Sequence, residues 1–312
     1  MPRFDVTIAG ELNLDLILYG VPPELPPERE LLADNMILTL GGSSSTVAHN
    51  LAALGNRVGF QSRIGDDDLG QIALDRLRES GADISLVRKV PGTTKTGFTA
   101  ILHHGAWRNI ITYPGTIAKL CWDDLDFDYL TDARHFHYCS YYLQQDMLPR
   151  VKELFQRLKA AGLSISFDTN DDPSDQWEGD LNKILRYVDI FLPNEREAKK
   201  AARTDDLEAA IAKLAGVVPL VVVKLGKDGA VAQRGRERFT SPAQKVDFVD
   251  PVGAGDSFDA GFVTQYIRGA DIPTCLAAGN IAGALSTTRP GGSEAFRDAA
   301  QRKQFLAAHG WK

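Results

Sequence analysis

An α/β fold with a mostly parallel sheet and covering helices is what this sequence predicts, from three observations. Apolar β-type runs at 6–9, 58–64, 163–168, 190–192 and 220–225 alternate with helical patterns at 46–54, 69–80, 147–161 and 207–215. Such alternation builds parallel strands joined by helices. The 312 residues, 44% of them hydrophobic, can bury a sizeable core without staples. Two stretches break the pattern. Residues 12–40 hold a proline-rich segment (VPPELPP) between short strand-like pieces, and residues 96–114 hold runs at 97–104 and 107–113 across a turn at Gly105 and Ala106. The second reads as a hairpin.

Composition narrows the partners. A formal charge of −6 with interspersed signs gives no basic surface for nucleic acid, so a small-molecule ligand is expected. No apolar run approaches bilayer length, and Met1 leads almost directly into a strand, so neither a membrane span nor an export leader is expected. Cys121, Cys139 and Cys275 are far apart and in no C-x-x-C pattern, which fits a reducing cytoplasm and neither disulfides nor zinc. His103 with His104, and His135 with His137, lack a supporting carboxylate or cysteine pattern and read as core or surface histidines.

The most telling stretch is 250–261, DPVGAGDSFDAG. Phe258, Phe262, Val263, Tyr266 and Ile267 follow the glycines at helical spacing, which sets the glycines where a loop enters a helix. Free N–H groups at a helix start and the helix dipole favour an anion, and Gly253 and Gly255 allow close backbone approach. Asp256 would repel that anion unless it takes a proton from a hydroxyl attacking a phosphate. As an isolated pattern the same aspartate reads as a helix cap. No P-loop, protein-kinase catalytic set or complete dinucleotide fingerprint is present.

This stretch resembles the second signature of the PfkB (ribokinase-like) carbohydrate kinases, and the resemblance spans nearly the whole chain. It implies a single ribokinase-like kinase domain over 1–312, with a small β lid from inserts at about 12–40 and 96–114. In that family the amides of Gly253, Ala254 and Gly255 would form an anion hole and Asp256 would be the catalytic base.

On the sugar side, Glu11, Asn13 and Asp15 alternate with Leu12, Leu14 and Leu16, giving one polar face. Asp15 can grip a vicinal diol, and Asn13 can donate and accept. The family has a corresponding sugar-binding N-x-D. The segment 40–55 (LGGSSSTVAHNLAALG) is similar to the first signature: Gly41 and Gly42 would admit substrate to the backbone, with Ser43 and Thr46 beside it. Thr46 stands where many relatives have Asn, and the three serines also suit a helix cap. Arg108 and Asn109 in the hairpin resemble sugar-kinase positions that meet the substrate, and Asn170 joins them from FDTNDDP. One arginine is too few for a phosphorylated substrate, which favours a neutral sugar.

On the nucleotide side the resemblance implies ATP, with Asn194, Lys224, Gly226, Gly229 and Asn280 around it, and Mg²⁺ held through water by Glu197 and Asp168. Magnesium keeps several waters and needs few carboxylates. Relatives often have an arginine near Asp172. Asp250, Val252, Ser286, Arg289, Gly291 and Ser293 resemble a monovalent-cation site for K⁺. The resemblance also implies a homodimer joined through the lid. The expected function is ATP-dependent phosphorylation of a sugar primary hydroxyl, of fructose or ribose type. The alternatives are a nucleoside kinase, for which Phe98, Trp107 and Tyr113 would wall a base, and a non-catalytic sugar-binding regulator, against which Asp256 argues.

Overall fold

The structure is a computed structural model that describes every residue except Pro91, Ala106, Asp180 and Lys312. Its large sheet begins with β1 (Phe4–Ala9), β4 (Val58–Gly65), β5 (Asp83–Val90) and β8 (Ala133–Tyr138). It continues with β9 (Ser164–Phe167), β10 (Ile190–Phe191), β11 (Leu220–Lys224), β12 (Ala230–Arg234) and β13 (Glu237–Ser241). The strand order is β13-β12-β11-β10-β9-β8-β1-β4-β5, parallel throughout except for β12 and β13 at one end. All six residues of β1 are buried, as expected of a central strand covered on both faces.

Alternation along the strands divides the core. On β11, Val221 and Val223 join the cluster formed with α4 (Val151–Ala160), α6 (Glu195–Ala202) and α7 (Leu207–Ala215). Leu220 and Val222 turn to the opposite face, against Phe258 and Phe262 of α8 (Ala254–Ile267) and Leu276 of α9 (Ile272–Ser286). On that same face, α1 (Ser43–Ala53) and α2 (Asp68–Glu79) cover the far end of the sheet.

The second sheet, β3-β2-β6-β7, is built from the two stretches, 12–40 and 96–114, from which a lid is expected. It comprises β2 (Asn13–Tyr19), β3 (Asn35–Gly41), β6 (Phe98–His104) and β7 (Trp107–Tyr113). Of the expected hairpin turn, Ala106 lies outside the described residues. The helix expected over 147–161 starts later, at Val151, after a 3₁₀ turn over Leu148–Arg150 that contains Pro149.

Strand β8 escapes an apolar-pattern reading because it contains His135 and His137. Both are core residues: His135 pairs with the hydroxyls of Ser164 and Ser166 on β9, and His137 with Ser166. Burial pushes them down to about 3 and about 4, so they remain neutral.

Candidate active site

The end of β1, the start of α1, the turn after β9 and the start of α8 meet above the carboxyl ends of the parallel strands, where open α/β sheets place ligands. Gly253 precedes α8 with φ 72°, the left-handed region, and any Cβ there would overlap Gly292 Cα. Two glycine loops therefore interlock at the helix start. Ala254 N–H donates to Pro251 O at 3.2 Å, so this amide, expected in the anion hole, is already engaged. The N–H groups of Gly253 and Gly255 have no backbone acceptor among the described residues. Asp256 follows in the first turn, half-buried, with Ser43 of α1 and Asn170 facing its carboxyl as donors. Burial raises this carboxyl, and Lys224 is the principal opposing charge.

Beneath Gly255 lies an ion cluster. Lys224 Nζ is 2.6 Å from Asp168 Oδ2 and 3.2 Å from Asp259 Oδ1, with both carboxylates almost fully buried. Burial opposes the ammonium charge, but Asp168, Asp259 and Glu197 outweigh it and hold Lys224 above the ordinary lysine range. Burial also raises Asp259 well above the carboxylate range against the pull of Lys224. Asp259 was missed by sequence reading, yet it lies one turn after Asp256 on the same helix, a spacing visible in the sequence.

At the sugar end, Asn13 Nδ2 donates to Asp15 Oδ1 at 3.3 Å, and Asn13 Oδ1 is buried without a partner among the described residues. Gly41 is register-paired with Asn13, and a Cβ there would overlap Asp15 Oδ1; one at Gly42 would lie 2.5 Å from Asn13 Oδ1. The paired glycines thus make room for these two side chains, a correction to the expectation that they expose backbone to substrate. Burial, the charge of Asp256 and that of Glu11 push Asp15 up to about 7, against hydrogen bonds from Thr99 and Asn13.

Glu11, read only as part of the alternating face, anchors this end. Its carboxyl accepts from Ser44 N–H at 2.9 Å, Ser44 Oγ at 2.5 Å and Ser140 Oγ at 2.6 Å. A residue distant in sequence therefore caps α1, whereas the serine run suggested a local cap. Thr46 is buried with its methyl toward Gly292, where it packs the two loops together.

The pfkB family carbohydrate kinase model matches residues 3–299. The chain belongs to the pfkB family of carbohydrate kinases. Among its relatives, a 2-dehydro-3-deoxygluconokinase from Bacillus subtilis is 29% identical over 283 residues, 86% of this chain and 87% of that one. An ATP-dependent ribose-1-phosphate kinase from Halopiger xanaduensis is 28% identical over 292 residues, covering 93% and 94%. An Escherichia coli protein described as a ribokinase II, crystallised in complex with ATP and Mg²⁺, superposes with a TM-score of 0.84 at 27% identity, covering 98% and 99%. The ribokinase-like fold and the assignment to carbohydrate kinases stand with these matches.

Several positions differ from what the pfkB resemblance implies. Lys224, expected to reach phosphates freely, is locked to Asp168 and Asp259, and Asp168 is correspondingly spent on Lys224. Asn194 and Glu197 form a reciprocal cap of α6: Asn194 N–H donates to Glu197 Oε2 at 2.8 Å and Glu197 N–H to Asn194 Oδ1 at 3.0 Å. Burial and the charge of Asp168 raise Glu197 to about 8, so a nearby cation would be welcome there. Among the described residues no group of three acidic, histidine or cysteine side chains could hold a metal directly.

Asn280 donates to Ser241 O at 3.0 Å and Pro242 O at 3.1 Å, and a Cβ on Gly229 would overlap Ser241 O. Both therefore brace the loop after β13, while Gly226 faces open space. Asp172 accepts from Ser174 N–H and Trp177 N–H and closes its own turn, so its carboxylate has a local structural role. Arg108 and Asn109 do not reach the sugar end: they are exposed on β7, and Asn109 pairs with His104. Arg108 stands opposite His103, four rungs from the Thr99 and Thr112 pair that neighbours Asp15, or about 13 Å along the strand.

Most of the side chains expected around potassium are engaged elsewhere. Asp250, its expected charged ligand, already accepts from Val252 N–H at 2.9 Å, Tyr19 OH at 2.6 Å and Gly291 N–H at 3.2 Å. Ser286 Oγ donates to Gly283 O, and Arg289 turns to Asp298 and Gln301. Ser293 Oγ is buried without a partner among the described residues.

Proposed function

We propose that this kinase transfers the γ-phosphoryl group of ATP to a primary hydroxyl of a neutral sugar, with Asp256 as general base. The observation behind this reading is the carboxyl of Asp256 beside the uncapped Gly253 and Gly255 amides, at the junction of lid and sheet. As the acceptor oxygen forms its bond to phosphorus, Asp256 takes the hydroxyl proton and the bond to the ADP oxygen breaks. The two amides stabilise charge on the transferring group, and Lys224 adds a positive charge from beneath Gly255. Mg²⁺, when bound, neutralises phosphate charge, with Glu197 holding its water. On this reading residues 1–312 form one kinase domain, and the lid excludes water when it closes over the sugar. ADP release across sugars, sugar acids, phosphosugars and nucleosides tests it, and absence of turnover with every acceptor would reject it.

The acceptor class follows from charge. Asp15, Glu11 and Asp256 crowd the sugar end, and the charges of Asp256 and Glu11 act on Asp15. An acidic or phosphorylated sugar would meet like charges there. The B. subtilis and H. xanaduensis relatives are named for such sugars, so this chain is expected to differ from them in acceptor. A nucleoside is disfavoured because Trp107 and Tyr113 point to solvent, with exposures of 79% and 52%. Together with Ile111 on the same face of edge strand β7 they form an exposed apolar row suited to a homodimer. Location in the cytoplasm suits the three free thiols.

Two expected results arise here. Asp15→Ala lowers kcat/KM for the sugar roughly 10- to 100-fold, about 1.5–3 kcal/mol for a lost charged hydrogen bond, while ATP affinity holds. In the unsubstituted enzyme, protonation of Asp15 as pH falls through about 7 removes the same acceptor, so kcat/KM declines toward acid and Asp15→Asn flattens that limb. An unchanged pH profile and sugar kinetics would make Asp15 structural. Separately, Glu197→Gln keeps a side chain able to cap α6 but raises the half-saturating Mg²⁺ concentration on the order of tenfold. A Mg²⁺ titration at saturating ATP and sugar measures it, and an unshifted midpoint would remove Glu197 from the metal's surroundings.

A further inference from the structure

Asp250 is fully buried at the head of the loop entering α8; three donors hydrogen-bond to its carboxyl, and a ring nitrogen lies nearby. Two are backbone amides. Val252 N–H and Gly291 N–H belong to the 250–253 and 291–292 loops, so one side chain ties together the two loops that interlock at Gly253 and Gly292.

The other two come from the lid. Tyr19 at the end of β2 donates its hydroxyl to Oδ2 at 2.6 Å, across 231 residues of chain. His103 Nε2 lies 3.6 Å from Oδ1, buried and with no closer partner among the described residues. The Tyr19 and His103 rings stack with centroids 4.9 Å apart at 26°. A third lid strand reinforces the junction: Thr39 of β3 donates to Glu294 Oε1 at 2.9 Å and packs against Gly291.

A carboxylate offers about four lone-pair directions. Here N–H and O–H donors take three of them and the His103 ring covers the side of Oδ1, which leaves the carboxylate little room for a cation. We propose that the contact of Tyr19 and His103 with Asp250 is a lid-borne lock that sets the anion-binding loops where a monovalent cation would otherwise do so. Tyr19 is then a positioning residue for phosphoryl transfer, acting through Asp250 without touching substrate. The lid and the anion site become one mechanical unit, because the strand that begins with the sugar-facing Asn13 and Asp15 ends on the carboxylate that organises the loop.

The kinetic part of this inference rests on the kinase reading; the structural part does not. Hydrogen–deuterium exchange on the full chain, without substrate, is compared in potassium chloride and tetramethylammonium chloride at equal ionic strength. Exchange of the amides in 250–256 and 287–293 is expected to agree within about twofold between the salts. In Tyr19→Phe, which keeps the ring stack, those amides exchange roughly tenfold faster while α4 is unchanged. Slower loop exchange in potassium for the unsubstituted protein, unaltered loops in the variant, or acceleration throughout the chain would each overturn the lock. With a turned-over sugar, the unsubstituted enzyme ignores potassium, and Tyr19→Phe loses on the order of tenfold in kcat with sugar KM within twofold. An unchanged kcat in the variant overturns the positioning role. If no acceptor is turned over, the exchange result still stands and the kinase reading alone fails.

Discussion

Replacing Asp256 with asparagine is expected to lower kcat by roughly 10²–10⁴-fold, the usual worth of a positioned general base, with ATP binding nearly intact. The amide occupies the same volume and can still meet Ser43 and Asn170, so the fold should tolerate it. It cannot take a proton. Burial raises the Asp256 carboxyl and the nearby charge of Lys224 pulls it back toward ionisation, so the residue is held closer to the range where a base both ionises and accepts. Steady-state ADP release gives kcat, and nucleotide affinity is measured separately by calorimetry. Near-unchanged turnover would remove Asp256 from the chemistry and leave it as a first-turn helix charge.

The second large effect is on stability. Lys224→Met should cost about 3–5 kcal/mol, because it leaves Asp168 and Asp259 buried at 2% and 0% side-chain exposure with no counter-charge. Methionine fills most of the stem volume, so the loss reports charge more than packing. Denaturant unfolding measures it. Where the variant remains folded, kcat should fall as well, since the charge beneath Gly255 and beside Asp256 is gone. The double variant Lys224→Met with Asp259→Asn should recover part of the stability, because only Asp168 then remains as a buried acid without its partner. Equal stability of Lys224→Met and the unsubstituted protein would show that the cluster is already neutralised another way.

The α/β class and the lid were legible because period-two apolar runs and turn residues are local features, and most of the runs read from the sequence became β1, β4, β9, β10 and β11. Strand β8 was hidden because two histidines interrupt its apolar pattern, and their serine partners lie on β9, nearly 30 residues away. The glycine-rich start of α8 and Asp256 were equally legible, since a helix start, its free amides and a first-turn carboxylate lie within four consecutive residues.

Local pattern encodes each piece whose meaning lies within one turn or one strand: the glycine-rich helix start, the alternating polar face of β2 and the hairpin of β6 and β7. Tertiary structure alone decided which charges meet. Lys224 turned to Asp168 and Asp259 instead of standing free, Glu11 became the cap of α1, and Asp250 was claimed by Tyr19 from the lid. It also left Arg108 on an exposed strand, remote from the sugar end. The reason is physical: a buried charge must find its partner wherever packing brings one, and a separation such as the 231 residues between Tyr19 and Asp250 leaves no trace in local pattern.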